Sequence, residues 1–179
     1  MTSKSEQVAV VCIGNSLVAD DAAGCAVHEQ LETHALSSDV HLHHLGVGGM
    51  NLLDILDGEA YLIVVDAANF GKPPGTIHVR EWDELPGRTV QPVSAHGIGI
   101  RDVIETGRAI FPERMPRNVL LIGIEGRCFD SFVTQMSPEV QLGVTRAVDE
   151  VIRRIAIITD PGQQDLAMNG EPTGDIRYE

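Results

Sequence analysis

The sequence predicts an α/β sandwich built on a mostly parallel sheet, and three observations support this. Strand-like and helix-like segments alternate along the chain, the order that lays helices over a parallel sheet. Val8–Ile13 and Leu62-Ile63-Val64-Val65 are unbroken apolar runs rich in β-branched residues, the pattern of strands covered on both faces. The residues able to carry chemistry, Asp20-Asp21, Asp66 and His96, each follow a predicted strand or precede a predicted helix. In such sheets ligands bind beyond the carboxyl ends of the strands.

The elements follow in order. Val8–Ile13 is the first strand, ended by Gly14-Asn15. Asp20 and Asp21 open a helix that reaches about Leu36, with Ala23, Val27 and Leu31 on one stripe; an acid in the first turn suits the helix dipole and its unpaired N–H groups. Val40–Leu45 is a more polar second strand. Gly46-Val47-Gly48-Gly49 is a loop, and 50–56 is a short helix burying Leu52, Leu53, Ile55 and Leu56. The third strand spans 60–66. The turn-rich segment from Asn69 to Gly75 is too short for a parallel crossover, so 76–80 runs antiparallel as an added strand. Residues 83–95 are loop, 98–111 helix and 118–124 the last strand. Ser137-Pro138 sets a hydroxyl N-cap before a proline at the first helical position, and that helix runs to about Ile157. Residues 1–158 form one domain; 159–179 is a polar tail whose composition predicts disorder.

Composition narrows the function classes. The 179 residues carry a formal net charge of −13, with 43% apolar and 22% charged residues. Nucleic acid and anionic membrane surfaces need a basic footprint, so neither is an expected partner. No apolar run approaches the roughly 20 residues of a membrane span, and the polar N-terminus is no secretory signal. Cys12, Cys25 and Cys128 are odd in number and form no CxxC pair, which suits a reducing compartment; a cytoplasmic protein is expected.

Asp66 ends a fully apolar strand, where a carboxylate is costly unless it is paired, hydrogen-bonded or bound to metal. The plainer role is to accept an N–H from the following loop. His96 has the small neighbours Ser94, Ala95 and Gly97, which leave room for a ligand to approach; the plainer role is a loop or capping histidine. Together Asp21, Asp66 and His96 offer two carboxylates and an imidazole, a donor set suited to Ni²⁺ or Zn²⁺ over Mg²⁺. A GxGxxG fingerprint is not present around Gly14, because Cys12 and Leu17 occupy the other glycine positions. His41, His43 and His44 could bind metal as a cluster, though a strand places His41 and His43 on one face and His44 on the other. No role follows for His28, His34 or His78.

An ordered set of elements carries a resemblance. Gly14-Asn15 with Asp20-Asp21 and Gly24, Gly49-Met50 with Leu52-Leu53, Val65-Asp66-Ala67, Pro74-Gly75-Thr76, Ser94-Ala95-His96, Ile122-Gly123-Ile124-Glu125 and Ser137-Pro138-Glu139-Val140 occur in sequence from about residue 8 to 157. The chain resembles the hydrogenase maturation proteases, which trim the C-terminus of the [NiFe]-hydrogenase large subunit. The resemblance implies a three-layer αβα sandwich around a mostly parallel five-stranded sheet with one antiparallel strand. It implies Asp21, Asp66 and His96 as metal ligands and catalytic residues, with Asp20 a cap or a support behind them. It further implies nickel as the metal, supplied by the precursor, with Zn or Cd able to occupy the site in vitro. The implied partner is the precursor large subunit, cut once after nickel insertion. The chain departs from the family where members carry an acid followed by glycines after the second strand. Here His44 or Leu45 falls at that place, and a histidine can act as base or ligand instead. The competing function is a nickel-sensing chaperone that docks the precursor without cutting it.

Overall fold

Val8–Ile13 forms β1, and all six of its residues are buried. A computed structural model describes residues 7–46, 49–84, 100–129, 135–160 and 174–176. The elements are β1, α1 (Ala23–Leu31), β2 (Val40–Leu45), α2 (Leu52–Ile55), β3 (Tyr61–Ala68), β4 (Ile77–Glu81), α3 (Ile100–Ile110), β5 (Asn118–Glu125), α4 (Pro138–Thr159) and β6 (Gly174–Ile176). Short 3-10 turns at Ala19–Ala22 and Gly49–Asn51 lead into α1 and α2, and a third follows β4 at Trp82–Glu84.

The sheet order is β2-β1-β3-β5-β4-β6. β1 pairs in parallel with both β2 and β3, and β3 with β5; β4 runs antiparallel to β5 and to β6. The antiparallel β4 follows from its short connection, as the sequence predicted. Side chains alternate across each strand. Val8, Val10 and Cys12 face Ala23, Val27 and Leu31 of α1 and Val144, Val148 and Val151 of α4. Ala9, Val11 and Ile13 face Leu52 of α2 and Val103 and Ile104 of α3. Helices on both faces make the three layers.

Five differences from the sequence reading have physical causes. The sheet has six strands, because Gly174–Ile176 of the polar tail pairs with β4. α1 stops at Leu31 rather than about Leu36: the chain tightens into i→i+3 bonds there, with the Thr33 N–H donating to the Gln30 carbonyl and the His34 N–H to the Leu31 carbonyl, and the Thr33 hydroxyl and His34 ring bond the same Gln30 carbonyl. β3 continues two residues past Asp66, because β5 extends alongside it to Glu125. Asp66 therefore lies within the strand, opposite Gly123. Ser137 does not cap α4 with its hydroxyl, which Asp20 takes instead. Nor do Asp20 and Asp21 start α1 directly; they sit in the 3-10 turn before it.

Candidate active site

β1 has β2 on one side and β3 on the other, so the sheet's direction of winding reverses there. A crevice forms at the carboxyl ends of the strands at such a point. Both predicted carboxylates reach that rim. Gly14-Asn15 shapes the first approach. The Asn15 side-chain carbonyl accepts the Leu17 N–H at 3.1 Å, the Val18 N–H donates to the Asn15 carbonyl at 3.0 Å, and the Asn15 N–H donates to the Asp21 carbonyl at 3.1 Å. The loop thus folds Asp21 back beside the end of β1. Gly24 completes the approach: a Cβ there would overlap the Ile13 carbonyl, so only glycine lets α1 lie this close to β1.

Asp21 and Asp66 are each 4% exposed. One Asp66 carboxylate oxygen accepts the Ala67 N–H at 2.8 Å, the plainer role considered for it and one that leaves the second oxygen to other contacts. Burial above all, with smaller contributions from the charges of Glu29, Asp21 and Asp66, raises the Cys25 thiol above its ordinary range. Cys25 Sγ lies 3.2 Å from His44 Nε2, and the His28 and His44 rings are 5.5 Å apart. His44 is thereby held against the start of α1 at the end of β2. Cys12 is likewise held far above its ordinary range, first by burial and then by Cys25. Neutral buried thiols are not nucleophiles.

Asp20 does a different job. Fully buried, it accepts N–H bonds from Arg127 (3.0 Å), Cys128 (3.0 Å) and Ser137 (2.8 Å) and the Ser137 hydroxyl bond (3.0 Å). Burial pushes its carboxyl up, and these four bonds outweigh it and hold the carboxyl below the usual range. It ties the turn before α1 to the loop after β5 and to the start of α4.

His96 and its neighbours Ser94, Ala95 and Gly97 lie outside the described residues. Among the described residues no three His, Cys, Asp or Glu side chains are arranged around one metal position. Two buried carboxylates at one rim nevertheless fit a hard or borderline cation needing a further donor.

Sequence reasoning missed a second polar cluster. His78, fully buried, has Nε2 2.8 Å from Glu125 Oε2 and Nδ1 2.9 Å from Asp175 Oδ1. Glu125 also accepts the N–H groups of Phe70 (3.0 Å) and Lys72 (2.9 Å), which fixes the loop leaving β3 just past Asp66. The available signal was Glu125 itself, an acid ending an apolar strand as Asp66 nearly does.

The profile of the hydrogenase maturation proteases matches residues 25–154, most of the chain and a stretch that contains Asp66 and His96. The chain belongs to that family. The hydrogenase expression/formation protein HupD of Rhodobacter capsulatus is 34% identical over 154 residues, covering 85% of this chain and 72% of HupD. The hydrogenase 2 maturation protease of Escherichia coli is 28% identical over 148 residues, covering 82% and 88%. The structure of the maturating endopeptidase HybD from E. coli superposes with a TM-score of 0.72 at 24% identity, over 94% of this chain and 97% of that one. HybD from Thermococcus kodakarensis gives 0.69 at 24%, over 82% and 97%. These two likenesses carry the fold. Family membership makes the chain an endopeptidase of hydrogenase maturation. No described helix is long and apolar enough to cross a membrane.

Proposed function

We propose that this chain is a metal-dependent endopeptidase that removes the C-terminal extension of a [NiFe]-hydrogenase large-subunit precursor after nickel insertion. The observation that carries the reading is the placement of two buried carboxylates, Asp21 in the turn after β1 and Asp66 in β3, at one rim of the sheet. Asp21, Asp66 and His96 are the residues that would hold the cation. A divalent cation there supplies Lewis-acid polarisation to the scissile carbonyl and to the attacking water. The carboxylates also provide the acceptor for the proton that water loses, and that proton passes to the departing amine as the C–N bond breaks. The neutral states of Cys12 and Cys25 favour water over a thiolate as the nucleophile. Leu17 and Met50, on the loops after β1 and β2, are large apolar side chains exposed at 62% and 46%, suited to contact with a protein substrate.

The rival reading, a chaperone that senses nickel without cutting, uses the same ligands. The test is to incubate the purified protein with nickel-loaded precursor and weigh the large subunit by mass spectrometry. Loss of one C-terminal fragment is expected, and Asp21→Asn, Asp66→Asn or His96→Ala should each stop it while far-UV circular dichroism is unchanged. An intact precursor that remains bound to the wild-type protein would favour the chaperone.

A further inference from the structure

The outer edge of β4 holds a receptor for one carboxylate. Among the described residues, β6 pairs with it at Val79↔Gly174, His78↔Asp175 and Ile77↔Ile176. Asp175 takes contacts from three basic side chains: His78 Nδ1 at 2.9 Å, the Arg80 guanidinium, and Lys72 Nζ at 3.4 Å. The receptor is built by parts of the fold other than β6. Glu125 orients His78 through its other ring nitrogen and holds the Lys72 backbone N–H, and the Phe70 ring lies 4.5 Å from the His78 ring. A buried imidazole aimed at the edge by a fixed carboxylate is a prepared binding group. The occupant, by contrast, is among the described residues a three-residue strand, in a polar stretch of sequence with no apolar run of its own.

Direction ties this edge to the cleavage rim. β6 is antiparallel to β4, which is antiparallel to β5, so β6 runs parallel to β3 and β5 and its C-terminal end points to the rim that carries Asp66. Asp66, Gly123, His78 and Asp175 lie on one rung across the sheet. Two strand spacings of about 4.8 Å separate the His78 backbone from that of Asp66. Between them, Gly123 contributes no side chain; a Cβ there would meet Ala68 Cβ at 3.1 Å and His78 Cβ at 3.5 Å.

We infer that the β4 edge, with Lys72, His78 and Arg80, docks an extended peptide segment bearing an acidic side chain, and that Gly174–Ile176 fills this site in cis. Resting on the function proposed above, the segment it takes in trans is the stretch of precursor on the amino-terminal side of the bond cut. A strand added at this edge uses main-chain bonds for affinity and the carboxylate for specificity. Precursor and tail then compete for one edge, and the tail acts as a built-in competitor.

The test uses the full-length chain and a fluorescein-labelled peptide with the sequence of residues 170–179. Asp175→Lys puts a like charge beside Lys72 and Arg80 and should release the strand. That variant should bind the peptide at least about tenfold more tightly than wild type, the scale of one charge-assisted hydrogen bond. A peptide carrying Asp175→Asn should bind it about tenfold more weakly, and adding Arg80→Glu to the variant should remove the preference. The unlabelled peptide should raise the apparent KM for precursor cleavage by the variant and leave kcat unchanged. A folded Asp175→Lys chain that gains no binding, or that binds both peptides equally, would overturn the inference. So would its loss of fold, which would make β6 an integral strand. Acid-selective binding without competition against the precursor would overturn the precursor as occupant. If wild type cleaves no precursor at all, the functional reading fails while the peptide measurement still decides the site.

Discussion

Asp20 and Asp21 are adjacent in sequence and opposite in use. Asp20 accepts four hydrogen bonds from residues 107 to 117 positions away, and it is a structural tie. Removing it leaves the part-buried N–H groups of Arg127, Cys128 and Ser137 without their acceptor, at a cost of about 1 kcal/mol or more each. Asp20→Ala should therefore destabilise the fold by about 3 kcal/mol or more in urea titrations, and Asp20→Asn, which keeps one acceptor oxygen, by less. Asp21→Asn and Asp66→Asn should instead abolish processing with little change in the urea midpoint. The adjacent pair of acids was legible in the sequence, while the resemblance supplied the choice of Asp21 as the ligand. The partners of Asp20 were not, since nothing local marks residues more than a hundred positions away. His44 is similar: its strand position was readable, and its 3.2 Å contact with Cys25 depends on how α1 lies over β1.

Elements explain two further outcomes. α1 approaches β1 closely only because Gly24 has no Cβ, so Gly24→Ala should cost about 3 kcal/mol by overpacking against the Ile13 backbone. A urea midpoint equal to wild type would show that α1 can shift. α4 carries a buried ion cluster at its middle. Glu150 bonds Arg154 Nε at 2.8 Å and Arg153 Nε at 2.9 Å, and Glu150 and Arg154 are each 4% exposed. Burial pushes the Glu150 carboxyl up, and the two arginines outweigh it and lower it below the ordinary value. A depressed carboxylate contributes stability that is fully present above the unfolded glutamate value of about 4.3. That contribution is lost as pH falls through the lower folded value. Glu150→Gln leaves Arg154 buried without its anion and should cost about 3 kcal/mol at pH 7. The gap between variant and wild type should close as unfolding is measured at pH 4 and then pH 3. A gap that stays constant would mean the arginines find other partners. The periodic apolar stripe of α4 was plain in the sequence, but no pattern marked Glu150 as buried.

At the scale of the molecule, the cation site is a property of the whole sheet rim. If Asp21, Asp66 and His96 hold one divalent cation, Ni²⁺ at about a hundred times its Kd adds about 2.7 kcal/mol. For a chain of this size that raises Tm by about 5 °C or more. Differential scanning calorimetry should show the rise in wild type, its reversal by EDTA, and no rise in Asp66→Asn or His96→Ala. Equal shifts in all three would place the ion elsewhere. Local sequence determined the alternation of strands and helices, the doubly buried β1 and β3, the antiparallel β4 and the delivery of two acids to one rim. Apolar periodicity and connection length record such features residue by residue. Only the tertiary structure decided the sixth strand, the His78–Glu125–Asp175 cluster, the anchoring of Asp20 and the contact of Cys25 with His44. Those are meetings of polar groups 19 to 117 residues apart, set by which backbones the packed core brings together and by the need of buried donors and acceptors to find partners there.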